Sequence, residues 1–476
     1  MADPLPATGS VARHEQAGLR KEMGLRDLVL AQVLCVVGSS WVGIAAKLGR
    51  AHVAYWLGSM TLFYLPLAAV VIYLNRRMPL EGGLYQWAKA GFGKMAGFLT
   101  AWNLWVYAVS STASVIFVLP TDLAYLVGAR AAWIPGSKWA TLLVTGSMML
   151  AIALVAVHGL DIGKWLHNIG SMLILAAYAI LLGLPIWALT RGTIVKYEPI
   201  PWQTPAVNWF GVAVFGQMCV GALSGFEYVA ILAGECRSAA RTIGQSVVIS
   251  APIIALMFIL GTSSVLTFLH GPINVIGPIP QTMRAAFGPS VGWAAQFGIF
   301  LVMARAVAAA SLLFTGLTRL PMTAGWDSLI PRWFTRLDEK RRTPVNSIAF
   351  VGALVMAMIL LSMLGVEEQE AQQLLTAASI AHYAIAYAAL FALPLAGSAA
   401  VRTTIPGWVK LASVAGLGSS LVALGIAVYP IVNVVSRGAY AAKICAVVAL
   451  ANATGILIYR AGQKRPASRK PPEPWR

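Results

Sequence analysis

The chain has 476 residues, of which 58% are hydrophobic and only 11% charged, with a mean hydropathy of +0.74. A soluble protein of this length carries charge on about a quarter of its residues, so a large water-soluble fold is excluded. The net charge of +18 is spread over short loops, which argues against nucleic-acid binding and for insertion beside anionic lipid in a bilayer.

In chain order, residues 1–25 hold no apolar core followed by a small-residue cleavage site, and read as a cytoplasmic tail. Apolar blocks of about 20 residues or more, enough to cross some 30 Å of hydrocarbon, then recur at 26–48, 54–76, 94–118, 138–157, 165–190, 206–234, 244–269, 290–322, 345–364, 371–397, 408–430 and 440–460. The prediction is an all-α polytopic membrane protein with twelve transmembrane helices and one membrane domain over 26–460. A second cytoplasmic tail covers 461–476.

Placing both termini in the cytoplasm puts most Lys and Arg on that side, among them Arg76, Arg77, Arg332, Arg336 and the run Lys340-Arg341-Arg342. The outer side keeps Lys47, Arg50, Arg130, Lys138, Arg191, Lys196, Arg284, Arg437 and Lys443, the asymmetry that sets orientation in a plasma (inner) membrane. The acidic run Glu367-Glu368-Gln369-Glu370 is expected in an outer loop. Cys35, Cys219, Cys236 and Cys445 show no metal-ligand spacing and read as packing residues; no metal or cofactor is expected.

Two spans are interrupted by small residues. The first reads Val37-Gly38-Ser39-Ser40-Trp41-Val42-Gly43-Ile44, and the sixth reads Val220-Gly221-Ala222-Leu223-Ser224-Gly225-Phe226-Glu227. They correspond if segments one to five (about 26–190) and six to ten (about 206–397) are inverted halves, with two further helices over about 408–460. Paired Gly-interrupted spans point to a transporter's central site. Unwound backbone at mid-membrane is tolerated only where it faces protein or a wet cavity, and its free groups can hold a carboxylate and an ammonium.

Three stretches then resemble the amino acid–polyamine–organocation (APC) superfamily of permeases. The loop after the second segment reads Pro79-Leu80-Glu81-Gly82-Gly83-Leu84-Tyr85, with Gly91-Phe92-Gly93 and Gly97-Phe98 following. The sixth segment gives Ser224-Gly225-Phe226-Glu227 with Gly234-Glu235, and the eighth ends in Thr318-Arg319-Leu320-Pro321 with Asp327, Pro331 and Thr343-Pro344 beyond. The resemblance implies the leucine-transporter-type 5+5 inverted repeat, alternating access, and an amino acid or related amine as cargo. Two departures stand out. Trp41 replaces the first glycine of the family's Gly-x-Gly break, and the fifth segment has only Lys164, at its start, where some proton-coupled relatives carry a lysine further in.

Candidate substrate-binding residues are therefore Gly38, Ser39, Ser40, Trp41, Gly43, Gly221, Leu223, Ser224, Gly225 and Phe226, with Asn103 and Tyr107 one turn apart on the third segment. Ser379, His382 and Tyr383 cluster on the tenth. Arg305 is a lone charge within an apolar span, where it either pairs an anionic group of the cargo, replaces a coupling cation, or completes a structural ion pair. Glu227 is a candidate proton carrier or a support for the sixth-segment break; Glu81 and Glu235 read as edge ion pairs. Coupling to a proton or sodium gradient is expected. No arrangement for catalysis and no phosphate loop is present, so an enzyme is not expected. The competing expectation is a receptor of transporter fold that binds without transport.

Overall fold

In lipid every backbone N–H and C=O must be satisfied within the protein, which restricts these apolar blocks to helices. The computed structural model describes residues 24–78, 83–158, 160–225, 239–288, 291–323, 329–338, 343–397 and 405–464, and these are helical or irregular, without strands. The helices are α1 (Leu25–Val36), α2 (Ser39–Ala46), α3 (Gly49–Arg77), α4 (Leu84–Phe92), α5 (Lys94–Val127), α6 (Lys138–His158), α7 (Leu160–Thr190) and α8 (Trp209–Ala222). They continue as α9 (Ala239–Phe268), α10 (Pro278–Phe287), α11 (Gly292–Thr323), α12 (Val345–Ser362), α13 (Glu368–Ala396), α14 (Gly407–Ile426) and α15 (Arg437–Gln463). Among the described residues, ten helices are long and apolar enough to cross a membrane, α1 with α2 forms one bent pair, and α8 is a shorter apolar helix.

Two of the differences from the sequence reading bear on the centre of the bundle. The third segment was expected to end at 118, but α5 runs on to Val127 through a turn at Val118. Pro120 and Asp122 look like a terminus in sequence; the proline sits in the first turn of the continuation, where its missing N–H costs nothing. The acidic run expected in an outer loop instead contributes Glu368 and Glu370 to the first turn of α13. The positive end of the helix dipole favours them there, and buried Glu370 accepts a 2.9 Å hydrogen bond from the Val435 N–H.

The centre is built from α1, α2, α5, α8, α11 and α13. α13 lies along α5 and α14, α7 along α11, and α9 along α1. Close approach is set by small residues: Gly170 of α7 meets Ala308 of α11, and Gly416 of α14 meets the ring of Phe391 in α13. Trp56 of α3 stacks on Phe258 of α9 at 4.4 Å and donates to the Thr262 hydroxyl at 3.1 Å. Both α3 and α8 contain a widened π turn, at Met60–Tyr64 and Gln217–Ala222, and the two turns touch.

Loops at one end of the bundle are tied to one another. Lys47 donates to the Ile431 carbonyl at 2.9 Å, and burial holds its ammonium pKa below the ordinary value. Glu198 pairs with Lys196 at 2.5 Å and Arg50 at 2.6 Å, and the Lys196 hydrogen bond, with Arg50 beside it, keeps that carboxyl below the usual glutamate range.

The last helix is clamped to α5. Asn103 Nδ2 donates to Asn452 Oδ1 at 2.8 Å, Asn452 Nδ2 donates back at 3.3 Å, and Trp102 Nε1 donates to the Ala451 carbonyl at 2.8 Å. Interhelical hydrogen bonds in membranes contribute roughly 0.6–1.7 kcal/mol. Asn103→Ala and Asn452→Ala are each expected to destabilise the protein by about that amount, and the double variant by little more than either single one. Thermal unfolding in detergent checks this, and additive effects would show that the two amides do not act as a pair.

Candidate functional site

The first span breaks between two half-helices. α1 stops at Val36, Gly38 is extended (φ −93°, ψ 145°), and α2 begins at Ser39 with a 51° bend between the axes. The exposed carbonyls are answered from other helices: Arg305 Nη2 donates to Leu34 at 3.1 Å and the Tyr178 hydroxyl donates to Gly38 at 3.4 Å. No side chain caps the N-terminus of α2, which therefore presents backbone donors and the positive end of a dipole.

The helix of the sixth segment ends beside the first break. After its π turn, α8 gives way to non-helical Leu223–Gly225. Gly225 has φ +124°, a region that side-chain-bearing residues rarely adopt, and its N–H donates to the Tyr387 hydroxyl at 3.2 Å.

Trp41 lies between the two breaks. A Cβ added at Gly38 would come within 2.8 Å of its indole, and one added at Gly221 would collide with the far edge of the same ring. The glycines thus form a slot for the tryptophan.

These elements surround a cavity of about 110 Å³, enough for several waters at roughly 10–15 Å³ each. Ser39, Ser40 and Ser224 line it from the breaks, Tyr107, Ser111 and Ser114 from α5, and Gln372, Gln373, Thr376 and Ser379 from α13. Gln372 Nε2 donates to Ser114 at 2.9 Å and Ser114 shares a 3.1 Å hydrogen bond with Thr376, while Gln372 Oε1 is buried without a hydrogen-bond partner. Arg305, 6% exposed, is the only charged residue among the described ones lining the cavity.

Of the residues singled out from sequence, the cavity collects Gly38, Ser39, Ser40, Trp41, Tyr107, Gly221, Ser224, Gly225, Arg305 and Ser379. Three others stand elsewhere. Gly43 is packed against Pro278, Leu223 is enclosed in the core, and Asn103 belongs to the α15 clamp rather than the cavity wall. His382 is buried and bonded to the Ala378 carbonyl, and Tyr383 stacks on Tyr107 with centroids 3.6 Å apart. Phe226, Glu227, Glu81 and Glu235 lie outside the described residues. Sequence reasoning missed Ser111, Ser114, Gln372, Gln373 and Thr376. Their signal is a polar stripe at helical spacing inside an apolar span.

The sequence model of the family described as amino acid permease matches residues 28–452. An uncharacterized transporter of Mycobacterium tuberculosis is 26% identical over 444 residues, covering 88% of this chain and 93% of that protein. The branched-chain amino acid permease BcaP of Bacillus subtilis is 21% identical over 361 residues, 71% of this chain and 74% of its own length. The probable agmatine/putrescine antiporter AguD of Lactococcus lactis is 21% identical over 342 residues, 71% of each chain.

The slot makes a second-site prediction. Gly38→Ala is expected to destabilise by about 1–3 kcal/mol, as overpacking does, because its methyl meets the Trp41 indole. Adding Trp41→Ala should remove that penalty. Unfolding temperatures of the two single variants and the double variant decide it; a Gly38→Ala defect of the same size without the indole would rule out the slot.

Proposed function

This chain belongs to the amino acid permease family, within the APC superfamily, and is a multi-pass membrane transporter rather than an enzyme; from that premise we propose that it is a secondary active carrier of carboxylate-bearing amino acids. Cargo binds in the cavity between the two breaks and is exposed to each side in turn. The two halves are related as a 5+5 inverted repeat with two added helices, and both termini are cytoplasmic, as the Lys and Arg distribution predicts.

The observation that carries this reading is the meeting of the bent first span and the non-helical end of α8 at one cavity, which holds an uncapped helix N-terminus and, among the described residues, one cation. A carboxylate is matched by that N-terminus and by Arg305. The ammonium is left to the hydroxyls of Ser224 and Ser379 and the unwound backbone beside Gly225, with Trp41 and Tyr107 offering ring faces. A polyamine, carrying only positive charge, would be repelled by the Arg305 guanidinium at the cavity wall. The name of the B. subtilis permease therefore fits this cavity better than that of the L. lactis antiporter.

Arg305 also supports a choice of coupling ion. The C-terminal carbonyls of a half-helix attract cations, and here a tethered guanidinium already bonds to Leu34. That leaves the position without need of sodium and favours a proton. Trp41, wedged between the breaks, favours one second reading, a receptor that binds the same ligands without moving them.

Counterflow in proteoliposomes, with an equimolar mixture of the neutral L-amino acids inside and a labelled trace outside, separates the two. Accelerated uptake is expected; saturable binding with no flux would establish the receptor instead. Uptake should be unchanged when sodium is replaced by potassium. Arg305→Ala should weaken amino acid binding about ten- to a hundredfold, the loss of a charge-assisted hydrogen bond, as measured by ligand-dependent thermal shift.

A further inference from the structure

The carboxylate and ammonium of the cargo occupy the α2 N-terminus, Arg305, Ser224, Ser379 and the backbone beside Gly225, which leaves one part of the cavity wall unassigned. That part is the seam between α5 and α13, lined by Ser111 and Ser114 on one helix and Gln372 and Thr376, one turn apart, on the other. Gln372 is 5% exposed, yet only one end of its amide is used. Nε2 donates to the Ser114 hydroxyl at 2.9 Å, and Ser114 is held in turn by its 3.1 Å hydrogen bond with Thr376. Oε1 is buried without a partner. Turning the amide over would set Oε1 on Ser114 and leave Nε2 unanswered instead, so in either setting one polar end is left over.

A buried amide end without a partner bears its full desolvation cost, and most such groups in folded proteins are paired. An amide that served only to hold α13 to α5 would be expected to use both ends, as Asn103 and Asn452 do at the α15 clamp. Here one end is tethered and the other is kept at the cavity wall, so the group is oriented before any ligand arrives. The ligand group that answers it must be uncharged and polar. A cationic side chain would be repelled by Arg305, and an anionic one would bring a second carboxylate to a cavity with one cation among the described residues. An aliphatic side chain would cover Gln372 and leave its spare end unpaired. The cavity is also lined by Val115, Val118, Leu312 and Leu313, which suit a short carbon stem.

Resting on the carrier reading above and deepening it, we infer that Gln372 selects the side chain of the cargo, and that the amino acids carried are those with a hydroxyl or carboxamide side chain: serine, threonine, asparagine and glutamine. Both groups donate as well as accept, so either setting of the Gln372 amide is answered. A site built to hydrogen-bond a substrate group rejects the analogue that lacks it far more strongly than an apolar pocket rejects an added hydroxyl. The cargo in the name of the B. subtilis branched-chain permease shares the carboxylate that Arg305 requires but has no group for Gln372, and it is expected to bind more weakly here.

The test compares near-isosteric pairs, threonine with valine and asparagine with leucine, as unlabelled competitors of counterflow by the labelled mixture of neutral L-amino acids in proteoliposomes. In the wild type the polar member of each pair should half-inhibit at a concentration about tenfold lower, the effect of a hydrogen bond to a group otherwise unpaired. Gln372→Met, unbranched and close in size, should bring both ratios to near one. Gln372→Asn, which keeps an amide but withdraws it by one methylene, is the second variant and should lower both ratios. Equal inhibition by the two members in the wild type, or tighter valine and leucine, would overturn the proposal and leave the carrier reading intact. Wild-type ratios retained in either variant would also overturn it; if they are retained at reduced affinity, Gln372 serves the carboxylate or ammonium common to every amino acid. Absence of counterflow in the wild type would remove both readings.

Discussion

The structure depends on how unpaired backbone groups are answered in the middle of a low-dielectric bundle. Each break strips several carbonyls and amides of their helical partners, and each such group costs several kcal/mol in hydrocarbon if left alone. The protein meets part of this with side chains from distant helices: Arg305 for Leu34, Tyr178 for Gly38 and Tyr387 for Gly225. These bonds tie α7, α11 and α13 to the breaks. Movement of any of those helices relative to α1 or α8 must therefore remake bonds to the same backbone that borders the cavity. The cavity wall and the packing of these helices thus share one set of contacts.

Much of this was legible in sequence for a simple reason. Span length is imposed by bilayer thickness, so the apolar blocks map closely onto helices, as at 138–157 against Lys138–His158. Glycine clusters and an isolated arginine are costly enough in a membrane to mark the site by themselves. What periodicity cannot supply is the identity of the neighbour. Asn103 and Tyr107 share a face by spacing, yet one meets Asn452 and the other the cavity, because α15 covers only part of that face. The third segment ends at 118 in the sequence reading, whereas α5 continues through Pro120 to Val127. The polar stripe of α13 lies within the expected segment 371–397, but spacing alone does not say that Gln372, Gln373 and Thr376 face a cavity.

Trp41 shows the same limit from the other side. In sequence it replaces a glycine and suggests an obstructed break. In space its bulk is matched by Gly38 and Gly221, which leave room for the indole on both sides. Bulk on one side of the contact is met by small residues on the other, as close packing requires. The break stays open to the cavity, and the ring becomes part of its wall.

The choice of arginine at 305 follows from the number of tasks placed there. A lysine ammonium is a compact point charge that would suffice to satisfy the Leu34 carbonyl. A guanidinium is planar, keeps its charge under all ordinary conditions, and carries five donors in a fixed fork. It holds Leu34 with Nη2 and lines the cavity with the rest of the fork. The break and the cavity are thereby joined through one side chain. A deprotonatable lysine would shed its charge in such a buried place, and the charged link between the break and the cavity would be lost with it.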